Sequence, residues 1–393
     1  MKLLIAIPAL NEEDAIADII TRCLDAREGV VANTPVDCVD IAVVSDGSTD
    51  RTEEIARDFM DRIHLIVFEK NRGYGAAIQE AWRQSDADLL SFLDADGTCD
   101  PRFFSELVNA LFDEEADIAL GCRMTAESEM PLVRKLGNKL FSLLLSAFSS
   151  QKVRDTASGM RVVRRQSLHR ILPLPAGLNF TPAMSARAVL ADNLHIVERD
   201  MQYRERVGES KLSPVKDGIR FLSVILKKAL IYRPTRVLGI AGAGCALLAL
   251  LLMLAPIAYY LQHRAIAEWM IYRFIVAQLL GVTAVTLMSF GYIGTLMSSQ
   301  LIGNEPPRGI TRRLFHWRIL YPAILLLLVL GVAVIRDSFV DYLTTGEVID
   351  HWSRFVVSSF FLICAVILAV TGLLHYILGL VYERMRYLEN ESS

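Results

Sequence analysis

The chain is 393 residues long and 53% hydrophobic, and its mean hydropathy of +0.35 is high for a soluble protein and low for one wholly embedded in a membrane. The 41 basic and 44 acidic residues nearly balance, so no strong basic excess points to nucleic acid. The six cysteines are dispersed without a Cys-x-x-Cys pair, which disfavours a disulfide framework or a zinc site and fits a reducing compartment.

The two parts of the chain differ in character. Up to about Arg236 charged and apolar residues are mixed, whereas long apolar runs dominate afterwards. This change predicts a soluble domain over residues 1–212, an amphipathic linker over 213–236 and a membrane domain over 237–393. The apolar stretch at 1–7 superficially looks like a signal peptide. Pro8 and the acids that follow end it too early, so we predict a buried first strand.

Strands and helices alternate through the first 120 residues. Apolar runs predict strands at 3–7, 40–45, 63–68, 89–93 and 117–120, and periodicity or capping residues predict helices at 12–27, from 50, at 74–84 and from 100. Asp50 and Glu53 have the spacing of a capping box, and Asp100 with Pro101 suits the first two positions of a helix. The alternation predicts an α/β fold with a mostly parallel, doubly wound sheet.

Polar and glycine-rich segments follow all five predicted strands. They are PALNE at 8–12, DGS at 46–48, NRGYG at 71–75, DAD at 94–96 and GCR at 121–123. Ligands of open α/β sheets bind beyond the carboxyl ends of the strands, so these segments should converge on one edge. Ordinary loop chemistry explains any one of them but explains all five together poorly.

Asp94 and Asp96 come directly after the fourth predicted strand. Residues i and i+2 of an extended chain point the same way, so both carboxylates could face one Mg²⁺ or Mn²⁺ ion. The alternative is a surface turn, because Asp-Gly is a turn dipeptide. The convergence favours a cation that binds a nucleotide diphosphate, with Asp46 accepting from the base or ribose. No Gly-x-Gly-x-x-Gly or Gly-Lys-Ser/Thr loop occurs, which disfavours dinucleotide redox chemistry and P-loop hydrolysis.

Four of these stretches resemble family 2 glycosyltransferases with the GT-A fold, and within that family the branch of dolichol-phosphate-mannose and polyprenyl-phosphate sugar synthases. They are IPALNEE at 7–13, VSDGSTD at 44–50, NRGYG at 71–75 and DAD at 94–96, in the family's order and spacing, and the resemblance covers about residues 1–215. It implies metal and diphosphate contacts for Asp94 and Asp96, with Asp96 catalytic. Together with the convergence at the sheet edge, it implies nucleotide-sugar contacts for a larger set: Pro8, Leu10, Glu12, Val44, Asp46, Arg72, Gly73, Asp94, Ala95, Arg123 and Lys211.

The chain departs from this branch at Thr98, where many members carry Gln, and this leaves metal coordination at that position and the donor sugar open. Two later stretches, RDTASGMR at 154–161 and RERVGESKL at 204–212, also resemble the branch, although the second is one residue shorter between Arg206 and Gly208. Their basic residues would neutralise the diphosphate or the acceptor phosphate, unless they form only a solvated charge cluster. We predict a catalytic role for Arg206 and acceptor-phosphate contacts for Arg134, Arg161 and Ser210.

Asp155 is a further predicted catalytic-site residue. It could be a general base, but a phosphate acceptor is already an anionic nucleophile at neutral pH and hardly needs one. We therefore expect Asp155 to orient other groups.

Two amphipathic helices are predicted on the acceptor side, at 132–148 and 213–233. Basic residues accompany the apolar face of each, including Arg134 in the first and Arg220 in the second. Such helices can lie in a membrane interface or pack on the sheet of their own domain. The second runs directly into an apolar span, which favours the interface there, while the first leaves both alternatives open.

Four apolar runs, at 237–261, 274–302, 319–335 and 355–382, approach or exceed the length needed to cross a bilayer. Basic residues flank them on one predicted side, and the loop after the third run is acidic, with Asp337, Asp341, Glu347 and Asp350. The basic residues are Arg233, Arg236, Arg308, Arg312, Arg313, Arg318, Arg384 and Arg386. The positive-inside rule then predicts a multi-pass membrane protein with the catalytic domain and both termini in the cytoplasm.

The resemblance and the membrane half together predict an inverting, metal-dependent hexosyltransferase. It would move a sugar from a nucleotide-diphosphate sugar to a polyprenyl phosphate at the cytoplasmic membrane face, with Mg²⁺ or Mn²⁺ as cofactor. The bilayer would be a partner, and assembly into a homo-oligomer is left open. One alternative is a lipid-hydroxyl or polysaccharide acceptor, although the Gln-x-x-Arg-Trp motif of processive relatives is absent. Another is a non-catalytic membrane scaffold, against which the intact Asp46, Asp94 and Asp96 speak.

Overall fold

The computed structural model describes residues 1–125, 128–149, 151–191, 193–204, 213–302, 306–307, 309–347 and 351–392. The chain divides into two compact units, Met1–Ala229 and Leu230–Ser393. The division falls inside the predicted linker, so the helix there belongs mostly to the first unit.

The first unit is built on a sheet of seven strands among the described residues, in the order β3-β2-β1-β4-β6-β5-β7. The strands are β1 Lys2–Ala9, β2 Cys38–Asp46, β3 His64–Phe68, β4 Leu89–Leu93, β5 Ile118–Cys122, β6 Met160–Arg164 and β7 Ile196–Asp200. Only β6 is antiparallel to its neighbours β4 and β5. The predicted α/β fold with a mostly parallel sheet is confirmed, and all five predicted strands are present.

Helices connect the strands and continue into the second unit. In the first unit they are α1 Ile16–Asn33, α2 Thr52–Arg57, α3 Tyr74–Gln84, α4 Phe104–Asp113, α5 Leu132–Phe148, α6 Leu168–Ile171, α7 Phe180–Leu190 and α8 Pro214–Tyr232, the last of which runs past Ala229. In the second unit they are α9 Pro234–His263, α10 Ile271–Ile302, α11 Gly309–Leu314, α12 Trp317–Thr345 and α13 Trp352–Ser392.

The core of the first unit forms where β1 pairs with β2 on one side and β4 on the other. All five residues of β4 are buried, and its one polar side chain, Ser91, donates from Oγ to Leu4 O at 2.6 Å. Since buried polar groups are costly without a partner, this bond lets Ser91 sit in the centre of the sheet. The central strands thus form a rigid support, and the loops at their carboxyl ends start from fixed positions.

Of the two helix starts predicted from capping residues, one differs from the prediction and one agrees with it. Asp50 and Glu53 form no capping box: Asp50 Oδ1 accepts from Thr52 N at 3.0 Å, while Glu53 pairs with Arg57 one turn later. Asp50 Oδ2 also accepts from Glu13 N at 3.1 Å, so this carboxylate ties two loops together. The predicted cap at Asp100 is confirmed, because its Oδ1 accepts from Arg102 N at 3.0 Å, although a 3₁₀ turn, Pro101–Phe103, precedes α4.

In the described part of the second unit, four helical segments are long and apolar enough to cross a membrane: Pro234–His263, Glu268–Leu301, Trp317–Thr345 and Trp352–Met385. The four predicted apolar segments lie within the helices α9, α10, α12 and α13, and the helix that contains the third extends past the end of the apolar run. α12 continues beyond Ile335 through Asp337 and Asp341, which we had assigned to a loop, and ends at Gly346 with φ 75°. The backbone of α12 therefore stays helical beyond the end of the apolar run that marked this segment in the sequence. Arg308 and Asp350 lie outside the described residues.

Candidate active site

A cavity of about 370 Å³ opens at the carboxyl edge of the sheet. The five polar segments that follow the predicted strands all contribute to it, as expected for parallel strands whose ends meet at one edge. Many of the predicted site residues line it: Pro8, Leu10, Glu12, Asp46, Gly73, Asp94, Ala95, Asp96, Arg123 and Arg134. The five loops therefore converge in the folded chain, as the sequence suggested.

Other predicted site residues lie elsewhere. Val44 is fully buried in β2, and the exposed Arg72 places its guanidinium 4.4 Å from the centre of the Phe68 ring, so neither side chain lines the cavity. Arg72 instead contributes its backbone N–H, described next. The predicted residues Arg206, Ser210 and Lys211 lie outside the described residues.

Asp46 orders the loop that leads into α3. Its Oδ1 accepts from Arg72 N at 2.6 Å and its Oδ2 accepts from Gly73 N at 2.9 Å. Gly73 has φ 105°, and a Cβ there would lie 2.5 Å from Ala176 O, so this position requires glycine. The result is a closely packed wall in which Asp46 both faces the cavity and holds the loop beside it.

Asp94 is held from two sides. Its Oδ1 accepts from the Tyr74 hydroxyl at 2.6 Å, and its backbone N donates to Gly159 O at 3.2 Å. A Cβ on Gly159 would lie 1.8 Å from Asp94 Oδ2, so the carboxylate packs directly on the glycine backbone. Burial, followed by the negative charge of Asp94, raises the pKa of the Tyr74 phenol well above its usual value. Tyr74 therefore remains a neutral donor at physiological pH.

Asp96 also accepts from a hydroxyl. Thr98 Oγ1 donates to Asp96 Oδ1 at 2.7 Å, and the Thr98 backbone N–H donates to the same oxygen at 3.3 Å. Asp96 lines the cavity, whereas Thr98 is 1% exposed and does not. At the position where the family resemblance led us to expect Gln, this chain thus places a buried residue that contacts the acid.

The acid pair fits a divalent cation that is shared with a diphosphate. Carboxylate oxygens are the ligands that Mg²⁺ and Mn²⁺ prefer, and protein Mg²⁺ sites commonly use one or two carboxylates plus substrate phosphates and water. Among the described residues there is no group of three or more His, Cys, Asp or Glu side chains that could hold a metal alone. Asp94 and Asp96 offer two such carboxylates on the lining of one cavity.

Asp155 holds Arg123 behind the cavity. The carboxylate is fully buried, and it accepts from Arg123 Nε at 2.7 Å, Arg123 Nη2 at 2.9 Å and Asn138 Nδ2 at 2.9 Å. Burial opposes its ionisation, but the Arg123 charge and hydrogen bonds outweigh this and lower the pKa of Asp155. Asp155 does not line the cavity, whereas Arg123 does. Asp155 is therefore placed to orient Arg123. A general base has to reach the substrate, and from this buried position Asp155 does not.

Arg161 lies in the middle of β6 with no exposed surface, which contradicts our prediction that it contacts the acceptor phosphate. Its Nε donates to Ser158 O at 3.1 Å and its Nη2 donates to Thr156 O at 3.0 Å. Burial lowers the pKa of Arg161 to about 10. The guanidinium thus anchors the backbone of the loop that carries Asp155 and Gly159.

A second, smaller cavity of about 150 Å³ lies between α5 and α8. Its wall is largely apolar, with Met130, Val133, Phe141 and Phe221 among the lining residues. Five residues line both cavities: Arg123, Arg134, Ala157, Tyr203 and Phe221. The acid-lined cavity and the apolar cavity therefore adjoin each other, with two arginines at the junction.

Several lining residues were not predicted from the sequence. Gly177, Leu178 and Thr181 come from the loop before α7 and the first turn of that helix, where no motif marked them. Gly75 permits their approach, because a Cβ there would lie 2.2 Å from Pro175 O. Tyr203, Arg220 and Phe221 also line the cavity without having been predicted. The available signal for Arg220 was a basic residue on the amphipathic pattern of α8.

The first unit has a mostly parallel sheet, and paired carboxylates and arginines line a cavity at its carboxyl edge. These features define a GT-A type α/β transferase domain. Four long apolar helices follow it in the chain. The model of the family "Glycosyl transferase family 2" matches residues 4–172. The chain belongs to this family and is a glycosyltransferase.

Three related proteins are sugar transferases by name, and the names of two include a lipid phosphate. The chain is 30% identical to the low-salt glycan biosynthesis hexosyltransferase Agl6 of Haloferax volcanii, over 77% of this chain and 70% of that protein. It is 34% identical to a dolichyl-phosphate hexose transferase of the same organism, over 56% of this chain and 90% of the relative. It is 28% identical to an undecaprenyl-phosphate 4-deoxy-4-formamido-L-arabinose transferase of Photorhabdus laumondii, over 66% and 78% of the two chains.

A looser likeness is to glucosyl-3-phosphoglycerate synthase of Mycobacterium tuberculosis, solved in complex with Mn²⁺, UDP and glucosyl-3-phosphoglycerate. The TM-score is 0.46 at 20% identity, over 58% of this chain and 80% of the other. A likeness of this extent identifies no ligand of the present chain.

Proposed function

We propose that the protein transfers one sugar from a nucleotide-diphosphate sugar to a polyprenyl phosphate, with inversion at the anomeric carbon and with Mg²⁺ or Mn²⁺ bound. The observation that carries this proposal is the junction of the two cavities. An acid-lined cavity suited to a cation and a diphosphate adjoins an apolar cavity suited to an isoprenoid chain, and Arg123 and Arg134 lie where they meet. The names of the relatives support the same acceptor class.

The donor side uses the pair of carboxylates. Asp94 and Asp96 would hold the cation, which when bound neutralises charge on the diphosphate leaving group. Glu12, Asp46 and the backbone around Gly73 line the same cavity and are the groups available to the nucleoside. Arg123, kept cationic by Asp155, adds a fixed positive charge near the leaving group.

The acceptor side needs a site for an anion at the end of an apolar chain. Arg134 lines both cavities and can donate to the phosphate, while the apolar wall formed by residues such as Val133 and Phe221 accommodates the first isoprenoid units. In the reaction a phosphate oxygen forms a bond to the anomeric carbon as the bond from that carbon to the diphosphate breaks. The nucleoside diphosphate leaves with the electron pair, and no proton has to be removed from the acceptor, so the absence of an accessible base at Asp155 is compatible with this chemistry.

The outer faces of α5 and α8 support a position at the membrane surface. On α5 the apolar side chains Leu132, Val133, Leu136, Leu140 and Leu143 are 58–76% exposed, while Phe141 and Leu145 pack inward. On α8 Val215 and Ile219 are 75% and 65% exposed. Each helix therefore packs one face on the domain and leaves an apolar face beside basic residues, a combination that favours a lipid interface.

We further propose that the catalytic domain and both termini face the cytoplasm. Arg312 and Arg313 lie in the described part between the second and third membrane-spanning segments, and Arg384 lies near the end of the fourth. The acidic residues Asp337, Asp341 and Glu347 lie near the opposite end of α12 and just after it. This distribution follows the positive-inside rule for that orientation. Cysteine labelling of the two ends of α12 in intact cells tests it.

The decisive experiment offers membranes that contain the full chain a panel of UDP- and GDP-sugars together with a polyprenyl phosphate. We expect an acid-labile, lipid-linked sugar from one donor, with product lost in EDTA and restored by Mn²⁺ or Mg²⁺. Asp96→Asn should abolish it, whereas Asp61→Asn, an exposed carboxylate away from the cavity, should not. No lipid product from any donor would contradict the proposal, and a product stable to mild acid would indicate a hydroxyl acceptor instead.

A further inference from the structure

The two cavity carboxylates share an arrangement that the family motif does not describe. Each accepts a short hydrogen bond from a hydroxyl: Asp94 from Tyr74 at 2.6 Å, and Asp96 from Thr98 at 2.7 Å. The two hydroxyls come from different parts of the chain, one at the start of α3 and one in the turn after β4. Neither hydroxyl belongs to the acid pair, so each acts on the site through the carboxylate that it contacts.

The Tyr74 hydroxyl is held in place by its ring. The ring lies edge-on to Phe92 and Phe180, with centroid separations of 6.4 and 6.3 Å. The Gly159 backbone lies against the other side of the Asp94 carboxylate. With a rigid donor on one side and the backbone on the other, rotation of Asp94 about its side-chain bonds is restricted.

Thr98 contacts Asp96 from the protein interior and does not line the cavity. It is 1% exposed, and its own backbone is tied, because Thr98 O accepts from Arg204 N at 3.1 Å. Its hydroxyl and its backbone N–H both donate to Asp96 Oδ1. Thr98 therefore contacts the acid from the protein interior, and a ligand in the cavity meets Asp96 but not Thr98.

We propose that Tyr74 and Thr98 are positioning residues that hold Asp94 and Asp96 as a preorganised pair for the divalent cation. Two adjacent carboxylates repel each other when no cation is present, so without restraint they would rotate apart. Hydrogen bonds from neutral hydroxyls stabilise the carboxylates and set their orientation before the ion arrives. In this chain Thr98 acts through Asp96, because its hydroxyl donates to the acid and it does not line the cavity.

The inference rests on the proposed use of a cation, and direct ion binding tests it separately from sugar transfer. Full-length protein in nanodiscs is titrated with Mn²⁺ in the presence of UDP, and in parallel GDP, and free Mn²⁺ is followed by electron paramagnetic resonance. Loss of an outer-shell partner weakens metal binding by about 10–100-fold, so we expect weakening in that range for Tyr74→Phe and for Thr98→Val. Tyr74→Phe keeps the ring contacts and Thr98→Val keeps the shape, so thermal unfolding should change little.

Two further variants separate positioning from coordination. Thr98→Ser retains the hydroxyl and should bind Mn²⁺ nearly as the wild type does. Thr98→Gln supplies the side chain of many relatives, but in a fully packed position, and should bind Mn²⁺ more weakly. The matched control is Thr21→Val, since the Thr21 hydroxyl donates only to Ala17 O on the outside of α1, and it should leave Mn²⁺ binding unchanged.

Three results would overturn the inference. They are unchanged Mn²⁺ affinity in both Tyr74→Phe and Thr98→Val, tighter binding in Thr98→Gln, and no nucleotide-dependent Mn²⁺ binding by the wild type. If the wild type transfers sugar to polyprenyl phosphate but the variants bind Mn²⁺ normally, the inference fails and the proposed function stands. If the variants lose Mn²⁺ but the wild type makes no lipid product, the proposed function fails and the inference stands.

Discussion

Gly159→Ala is the sharpest test of the site geometry. The added Cβ would lie 1.8 Å from Asp94 Oδ2, whereas real Cβ atoms essentially never approach another heavy atom closer than 3.0 Å. Either the carboxylate or the Gly159 backbone must therefore shift by more than about 1 Å, and a misplacement of that size costs on the order of 100-fold in rate. The 2.6 Å hydrogen bond from Tyr74 is lost if the carboxylate is the part that moves.

The assay compares kcat/KM for sugar transfer with thermal unfolding of the full chain in detergent. We expect kcat/KM to fall by about 100-fold with a much smaller change in the unfolding midpoint. The matched control is Gly29→Ala in α1, where a Cβ would meet nothing within 4 Å, and this change should be neutral or stabilise the chain by about 0.5–1 kcal/mol. Near-wild-type transfer by Gly159→Ala would refute the role we give to the packing of Asp94.

Two further predictions concern other parts of the first unit. Asp155→Asn leaves Arg123 without its buried counter-charge and should destabilise the chain by about 3–5 kcal/mol, whereas the exposed Asp86→Asn should have a much smaller effect; equal effects would contradict us. Because the folded state lowers the pKa of Asp155, its contribution is complete above its unfolded value of about 3.9 and is lost as pH falls below that, so the variant should flatten the acid limb of a stability profile. Replacing Leu136 and Leu140, which are exposed on α5, by Gln should raise KM for polyprenyl phosphate in vesicles without changing KM for the donor. The control Val31→Gln, at an exposed position on α1, should change neither KM. An unchanged acceptor KM in the double variant would count against membrane contact.

The geometry of Asp155 also bears on the choice of acceptor. A hydroxyl acceptor must lose a proton during attack and needs a base that reaches the cavity. Asp155 accepts from Arg123 and Asn138, is fully buried, and has a lowered pKa, all of which suit a permanently ionised anchor. Asp155 is therefore not placed to act as that base.

The local patterns of the sequence were enough to predict most of the framework. Apolar runs marked five strands of the sheet, and Asp100 marked a helix start, because burial and capping depend on residues close together in the chain. The same patterns missed β6 and β7. β6 carries Arg161, a charged residue that no periodicity argument would bury, and its burial depends on carbonyl groups that only the folded loop supplies.

The acid pair and the loops around it were predicted from the sequence because parallel strands bring their carboxyl ends to one edge, whatever their distance along the chain. Which residues touch that pair was decided by the tertiary structure. Three contacts depend on packing between segments that are far apart in the chain, where no short motif carries a signal: Gly159 on Asp94, Tyr74 on Asp94, and the loop at Gly177 on the start of α3. The sequence thus determined the class of enzyme and its acid pair, and the fold decided how those acids are held and that an apolar cavity adjoins them.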